Sequence, residues 1–150
     1  MNPQLILAHL PPPTVDSAPF WEGCTQGKLL LQACDACKGL IYFPRRTCPR
    51  CGAGSLRWAE ASGRGHLFSF SQVQVSFYGP EWESELPYTV ALVDLAEGPR
   101  MLSRMVGATD GIAIGDPVQV VFVAVGDRKL PFFQRSPKSR AGDQTPISRV

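Results

Sequence analysis

The chain has 150 residues, of which 44% are hydrophobic, so it can form one globular domain joined to a metal-stabilised module. It has no apolar run near the ~20 residues of a membrane span and no basic residue before its first apolar run. We therefore expect a cytoplasmic protein without a membrane anchor or a signal peptide. The net charge of +2 includes +3 from residues 135–150, so the rest of the chain is not basic.

Residues 1–16 are predicted to form an N-terminal arm. Three prolines at 11–13 favour an extended, polyproline-like backbone. The residues before them include the apolar side chains of Leu5, Ile6, Leu7 and Leu10. Such an arm packs either on its own domain or on a partner, and the sequence leaves both possibilities open.

A short helix is predicted to follow the arm. A polar residue at 16 or 17 can cap it, and Gly27 can end it. Phe20, Trp21 and Cys24 fall on one face at helical spacing.

Four cysteines form two matched pairs, Cys34 with Cys37 and Cys48 with Cys51. Two tight turns of this kind, facing each other, place four thiolates in a tetrahedral arrangement suited to Zn²⁺. Four protein ligands leave no position for water or substrate, so we expect the zinc to be structural. Residues 17–58 are therefore predicted to combine the helix with a zinc ribbon, and Cys24 is expected to be a free buried thiol.

From residue 59 onward the pattern is that of β-strands. The segment 66–77 alternates with one change of phase, which predicts a β-bulge near Ser71. Four more strands are predicted at residues 88–96, 100–106, 117–125 and 130–133. Five antiparallel strands with a glycine-rich connection after the third suit a closed OB-fold barrel.

Phe68, Phe70 and Phe77 alternate as core residues do, so we expect them inside this barrel. The barrel is predicted to occupy residues 59–134, and residues 135–150 are predicted to be a disordered basic tail. The predicted fold class is therefore mainly β. It comprises a short N-terminal helix and a rubredoxin-like zinc ribbon, followed by a five-stranded OB-fold barrel.

Several motifs occur in an order that resembles a known family. They are Phe20-Trp21-Glu22-Gly23, Gly27-Lys28-Leu29, the cysteine pairs with Phe43-Pro44-Arg45 between them, Ser62-Gly63-Arg64-Gly65, Pro87-Tyr88, Glu97-Gly98-Pro99-Arg100 and Ile114-Gly115-Asp116-Pro117-Val118. Over residues 17–134 the chain resembles the acyl-CoA-associated zinc-ribbon/OB-fold proteins, catalogued as a domain of unknown function.

This resemblance implies an accessory role. Members of that family form complexes with thiolase-fold proteins, which make or break carbon–carbon bonds beside a CoA thioester. The reactions include thiolysis, condensation and retro-aldol cleavage. The resemblance further implies an α2β2 heterotetramer with a thiolase-fold dimer at its centre.

Candidate contact residues follow from side-chain chemistry. Phe20 and Trp21 are large apolar groups outside the barrel, where only a small ribbon is available to cover them. We therefore expect them at the partner interface. CoA carries phosphates, which basic side chains can hold, although a solvated basic face would explain the same cluster. The candidate CoA-binding residues are Arg45, Arg46, Arg50 and Arg64.

No catalytic residue is predicted. A thiolase-type site needs a nucleophilic cysteine and a histidine base. Four of the five cysteines are assigned to metal, and the only histidines are His9 and His66. We expect His66 to be a hydrogen-bonded structural residue and the chain to be inactive without its partner.

Two other functions fit parts of the pattern. OB-folds also bind single-stranded nucleic acid, but residues 66–134 hold four basic and eight acidic side chains, which repel phosphates. A cage of four cysteines can also hold iron for electron transfer, although nothing else in the sequence indicates a redox partner.

Overall fold

Two short helices lie near the N-terminus. The computed structural model describes residues 1–136 and begins with α1, Pro3–His9. The Asn2 side chain caps this helix by accepting hydrogen bonds from the amides of Gln4 and Leu5 at 3.1 and 3.2 Å. The prediction of an extended arm is therefore wrong over α1, and the backbone becomes extended only at Leu10.

The arm packs on the barrel of its own chain. Ile6 is buried against Val125 and Leu130. Beyond α1, the Arg128 guanidinium donates a hydrogen bond to the carbonyl of Pro11 at 3.0 Å. The sequence leaves open whether the arm packs on its own domain or on a partner. In the structure it packs on its own domain.

The second helix, α2, spans Ala18–Thr25 and has the predicted position. Proline occupies its first turn, and Gly27 follows its end with a φ of 78°. Phe20 and Cys24 are buried on the face that the sequence pattern indicated.

A three-stranded antiparallel sheet carries the ribbon. Its central strand is β1 (Leu29–Cys34), which lies between β2 (Leu40–Ile41) and β3 (Leu56–Ala61). β3 runs past residue 58, where the sequence placed the boundary between ribbon and barrel. The same sheet therefore reaches from the cysteine turns to the barrel.

Five further strands form a closed barrel. They are β4 (Arg64–Val73), β5 (Tyr88–Leu95), β6 (Arg100–Met105), β7 (Pro117–Val125) and β8 (Arg128–Arg135). Their order is β4-β5-β6-β8-β7, and β7 pairs with β4 to close the barrel. The prediction of a mainly β fold with a five-stranded barrel is confirmed. The strands are not all antiparallel, because β6 and β8 run parallel where Met105 meets Phe133.

β4 differs from its prediction in two respects. Its pairing with β5 shifts between Leu67 and Ser69, so the bulge lies at Phe68 and not near Ser71. The strand also ends at Val73, which pairs with Tyr88, the first residue of β5. The residues after Val73 therefore have no neighbouring strand and leave the sheet.

The predicted placement of three phenylalanines inside the barrel is wrong. Phe68, Phe70 and Phe77 are 43%, 40% and 95% exposed. The bulge at Phe68 changes the alternation, and Phe77 lies beyond the end of β4. Leu67, only 1% exposed, fills the interior instead.

One hydrophobic core joins the helix, the ribbon and the barrel. α2 packs against both β1 and β8, so it fills the joint between the two sheets. The buried members of this core are Phe20, Cys24, Leu29, Leu31, Ala61, Leu67, Ala91, Val93, Leu95, Met101, Met105, Val118 and Phe133. β5 contributes alternate residues only, and the residues between them are partly buried.

The connection from β4 to β5 contains a 3₁₀ helix, Pro80–Glu85, which ends in a buried carboxylate. Glu85 accepts hydrogen bonds from the Arg104 guanidinium at 2.8 Å and from the Asn2 amide. Burial opposes ionisation of Glu85, but these hydrogen bonds outweigh it and hold the pKa of the carboxyl below its usual value. The carboxylate thus ties the 3₁₀ helix to β6 and to the start of α1.

Within residues 1–136, no helix is long and apolar enough to cross a membrane. The predicted tail lies outside the described residues apart from its first two positions. Arg135, the first of these, is the last residue of β8 and forms an ion pair with Asp116 at 3.0 Å.

Candidate metal centre and surrounding surfaces

The four predicted metal ligands form one cluster. The Sγ atoms of Cys34, Cys37, Cys48 and Cys51 all lie within 4.8 Å of one another. Two of the separations, Cys34 to Cys51 and Cys37 to Cys48, are 3.6 Å. Tetrahedral metal–sulfur bonds of about 2.3 Å give sulfur–sulfur edges of about 3.8 Å, so the spacing fits a tetrahedral metal ion. This cluster is a metal-binding site.

The two cysteine turns are built alike. In the first, the amide of Lys38 donates to the carbonyl of Cys34 at 2.9 Å; in the second, the amide of Gly52 donates to that of Cys48 at 2.9 Å. Lys38 and Gly52 both have left-handed backbone conformations, with φ of 60° and 75°. The hydrogen bonds and backbone angles within each turn therefore orient its two cysteine side chains without help from the other turn.

Backbone amides favour the thiolate forms of the two buried ligands. The Arg50 amide lies 3.4 Å from the Cys48 sulfur and is the main cause that lowers the pKa of Cys48 to about 6. The Cys37 amide lowers the pKa of Cys34 in the same way. Metal binding requires thiolates, so these amides support it. Four sulfurs also complete a tetrahedral shell, which indicates a structural centre.

Three of the four predicted CoA-binding residues lie on the ribbon surface, and the fourth, Arg64, begins β4. Arg46 already pairs with Asp16 at 3.2 Å. The exposed side chains of Arg45 and Arg50 make no ion pair within residues 1–136. These two are therefore the ribbon arginines most available to an anion.

The two predicted interface residues lie in the joint between ribbon and barrel. Phe20 is 5% exposed and packs edge-on against Trp21 and Tyr42, with ring centroids 5.0 and 6.1 Å away. Trp21 is partly buried against the main core and the smaller core beneath α1. This burial favours an internal role for Phe20, and partner contact through these residues stays a prediction.

The remaining cysteine and His66 have no catalytic geometry. Cys24 is free and fully buried, and burial raises the pKa of its thiol to about 12. His66 is exposed on β4, and its imidazole makes no hydrogen bond within the described chain. The expectation that His66 is a hydrogen-bonded structural residue is therefore wrong.

Sequence reasoning missed an exposed apolar loop that follows β4. Val75, Phe77 and Tyr78 are 61%, 95% and 81% exposed, and they lie beside a cleft of about 530 Å³. The Gly79-Pro80 pair could have indicated that the strand ends before this point, because both residues are typical of turns.

Two family models match consecutive parts of the chain, and the boundary between them falls within β3. Residues 21–57 match the family described as ChsH2, rubredoxin-like zinc ribbon domain. Residues 58–123 match ChsH2, C-terminal OB-fold domain.

Two relatives and one solved structure show what the chain is similar to. A Thermomonospora curvata protein named probable enoyl-CoA hydratase alpha subunit is 39% identical over 121 residues, which is 79% of this chain but only 37% of that protein. The benzoylsuccinyl-CoA thiolase subunit BbsA of Thauera aromatica is 27% identical over 132 residues, covering 85% of this chain and 83% of BbsA. In the structure titled Ltp2-ChsH2(DUF35) aldolase, one chain is 36% identical with a TM-score of 0.74, covering 84% of this chain and 98% of that one.

Proposed function

The chain belongs to the ChsH2 zinc-ribbon/OB-fold (DUF35) family, and from this we propose that it is an accessory subunit of an enzyme complex that acts on acyl-CoA. Its partner is a thiolase-fold protein. The complex makes or breaks a carbon–carbon bond beside the thioester, by thiolysis, condensation or retro-aldol cleavage. The observation that carries this proposal is the match to 98% of a chain from an aldolase whose title names ChsH2(DUF35) beside Ltp2.

The chemistry resides on the partner. Acyl transfer at a thioester needs a nucleophile next to a base. Four cysteines of this chain form the metal cluster, and the thiol of Cys24 is buried and protonated at neutral pH. The Nδ1 atom of His9 is hydrogen-bonded to the Leu5 carbonyl at 2.9 Å, and His66 has no neighbouring thiol.

Zinc is the metal that we assign to the cluster. Four thiolates at tetrahedral spacing suit Zn²⁺, which has no redox chemistry and would act here as a clip between the two turns. Iron suits the same donor set and would be seen as a coloured protein.

The ribbon arginines supply the CoA contact. Arg45 and Arg50 are exposed and make no ion pair within residues 1–136, so they can hold phosphate groups by charge-assisted hydrogen bonds. Changing both to glutamine is expected to weaken CoA binding by the complex at least about tenfold. Arg57→Gln is the matched control, because Arg57 already pairs with Asp35 at 3.1 Å.

Recovery of the partner tests the proposal. A tagged chain expressed in its native host is expected to co-purify with a thiolase-fold protein, and native mass spectrometry is expected to give two copies of each subunit. Recovery of the chain alone, or with proteins of other folds only, would contradict the proposal.

A second candidate function has one specific observation in its favour. Phe68 and Phe70 are exposed on the barrel, and the Arg100 guanidinium lies 3.2 Å from the centroid of the Phe68 ring. OB-folds bind single strands with such aromatic and arginine side chains. Arg100 is already paired with Asp94 at 2.6 Å, however, and the barrel carries an acidic excess. Fluorescence anisotropy with a thymidine 20-mer is expected to give no dissociation constant below about 100 µM at physiological salt.

A further inference from the structure

The segment of residues 74–79, here called the aromatic loop, exposes three large apolar side chains that the described chain leaves uncovered. They belong to Val75, Phe77 and Tyr78. Ile114, another exposed apolar residue, is in a different loop and stands alone there. Single exposed apolar residues are common, but several together on one loop are typical of a contact surface.

A cleft beside the aromatic loop is lined mainly by apolar and aromatic side chains. It has a volume of about 530 Å³, which is enough for one or more large side chains of another protein. Its walls are formed by His9, Val73, Val75, Ser76, Phe77, Tyr78, Trp82 and Tyr88. No aspartate, glutamate, lysine or arginine of residues 1–136 lines it, so the cleft favours an apolar group.

The base of the loop is held in place before any partner binds. Trp82 of the 3₁₀ helix contacts the His9 ring edge-on at 5.0 Å, and the Tyr78 ring lies 6.3 Å from Trp82. The buried Glu85 fixes the other end of the 3₁₀ helix through Arg104. A surface that is already ordered loses less conformational entropy on binding.

The flank of the cleft is acidic. Glu81 and Glu83 are exposed on the 3₁₀ helix and make no ion pair within residues 1–136. Their charge favours a partner with lysine or arginine around an apolar site. It disfavours nucleic acid and anionic lipid, which carry phosphates. It also disfavours a second copy of this chain, because a symmetric contact would bring the same carboxylates together.

We propose that the aromatic loop and its cleft are the docking surface for the thiolase-fold subunit, an inference that rests on the function proposed above. Phe77 and Tyr78 enter an apolar pocket of that subunit, and one of its apolar side chains fills the cleft. Basic side chains of the same subunit face Glu81 and Glu83. Aromatic side chains on a preformed base are the usual anchors of such interfaces.

Two sets of variants test this surface against the thiolase-fold subunit recovered with the wild-type chain. In the first, Phe77→Ser with Tyr78→Ser is expected to raise the dissociation constant at least about tenfold, whereas Ile114→Ser changes it less than about twofold. Phe77 is 95% exposed, so the melting temperature of the double variant is expected to stay within about 2 °C of wild type.

In the second set, Glu81→Lys with Glu83→Lys is expected to weaken binding about tenfold at low salt, and less at high salt. Asp127→Lys, which makes the same kind of change in the β7–β8 turn, is the control. Hydrogen exchange of the wild-type complex is expected to show protection of residues 74–84.

The possible outcomes separate this inference from the proposed function. If the wild-type chain recovers a thiolase-fold subunit and the Phe77/Tyr78 double variant binds it within twofold of wild type, the docking surface is wrong while the proposed function stands. If the wild-type chain recovers no such subunit, both fail. Light scattering that shows a dimer of the isolated chain, lost in the double variant, would assign the surface to a second copy and overturn the proposal.

Discussion

Within residues 1–136, only Cys34, Ile41 and Cys48 are buried together around the sulfur cluster, and two of these three belong to the cluster itself. The barrel, in contrast, is filled by apolar side chains from all five of its strands, together with residues of α2 and β1. A segment with so few buried apolar groups cannot offset the entropy of ordering its backbone, whereas the barrel core can. We therefore expect the metal to be needed for the ribbon end of the fold and not for the barrel.

The boundary between these two modes of stabilisation lies within the ribbon itself. Leu29 and Leu31 of β1 belong to the barrel core, although their strand carries the ligand Cys34 at its end. We therefore expect the part of the ribbon that depends on metal to be the segment beyond Cys34, up to the start of β3.

Metal loss gives the largest expected effect. Cys34→Ser is expected to release the metal and disorder residues 35–55, because the binding free energy of structural zinc, about 10–16 kcal/mol in small peptides, is folding free energy. The barrel is expected to keep its fold. Metal content and hydrogen exchange measure the two outcomes.

Cys24→Ala is the matched control for the metal variant, since it removes a buried thiol outside the cluster and is expected to keep the metal. A Cys34→Ser protein that lacks metal yet retains exchange protection over residues 35–55 would contradict the division.

A cavity in the barrel is expected to destabilise the barrel and to leave the metal site intact. Phe133→Ala removes a ring that is 0% exposed and is expected to lower the free energy of unfolding by about 3–5 kcal/mol, with the metal retained. Denaturant unfolding measures the change. Phe43→Ala, at a site 60% exposed, should change stability by less than about 0.5 kcal/mol. Metal loss from the Phe133 variant under native conditions would argue that the ribbon and the barrel are not stabilised independently of each other.

The arm is expected to stabilise the barrel and not the ribbon. Ile6→Ala removes a side chain packed on Val125 and Leu130 and is expected to lower stability by about 2 kcal/mol. Gln4→Ala, on the exposed side of α1, is the control. Equal melting temperatures for the two variants would show that α1 does not contribute to the barrel in solution.

The smallest expected effect is that of Glu85, and it depends on pH. Its pKa is lower in the folded than in the unfolded protein, so its contribution to stability is complete above the unfolded value of about 4.3 and is lost as the pH falls through the folded value. Glu85→Gln is expected to lower stability by about 1.5 kcal/mol at neutral pH and by less in acid.

Glu83→Gln, two residues away and exposed, is the control and is expected to change stability by less than about 0.5 kcal/mol. A stability difference between wild type and Glu85→Gln that stays constant from neutral pH to below pH 4 would contradict the role of the carboxylate.

The parts of the fold that were predictable from the sequence are those set by local rules. The spacing of the four cysteines determines two turns that can face each other, and the structure brings their sulfurs together. Proline and glycine at the ends of α2 set its limits. β7 matches its predicted range because its apolar alternation is not interrupted by a bulge.

The parts that were not predictable depend on neighbours in space. Which side chains of β4 face the core depends on the bulge, and the pairing with β5 puts it at Phe68. The end of β4 is set by where β5 begins, so Phe77 was assigned to a strand that does not reach it. The helical arm was missed because the prolines at 11–13 outweighed the capping side chain of Asn2.

The same distinction applies to the candidate site. The metal ligands could be read from spacing, whereas the burial of Phe20 and the exposure of the aromatic loop arise only when the helix, ribbon and barrel pack together. The burial or exposure of such residues can be determined only from the three-dimensional structure.

The most direct test of the central claim is the rate of acyl-CoA carbon–carbon bond cleavage or condensation by the isolated chain, by the proposed thiolase-fold partner alone and by the two recombined. We expect no turnover by the isolated chain above a mock-purified control, and at least about tenfold faster turnover by the recombined pair than by the partner alone. Turnover by the isolated chain, or a recombined pair no faster than the partner, would contradict it.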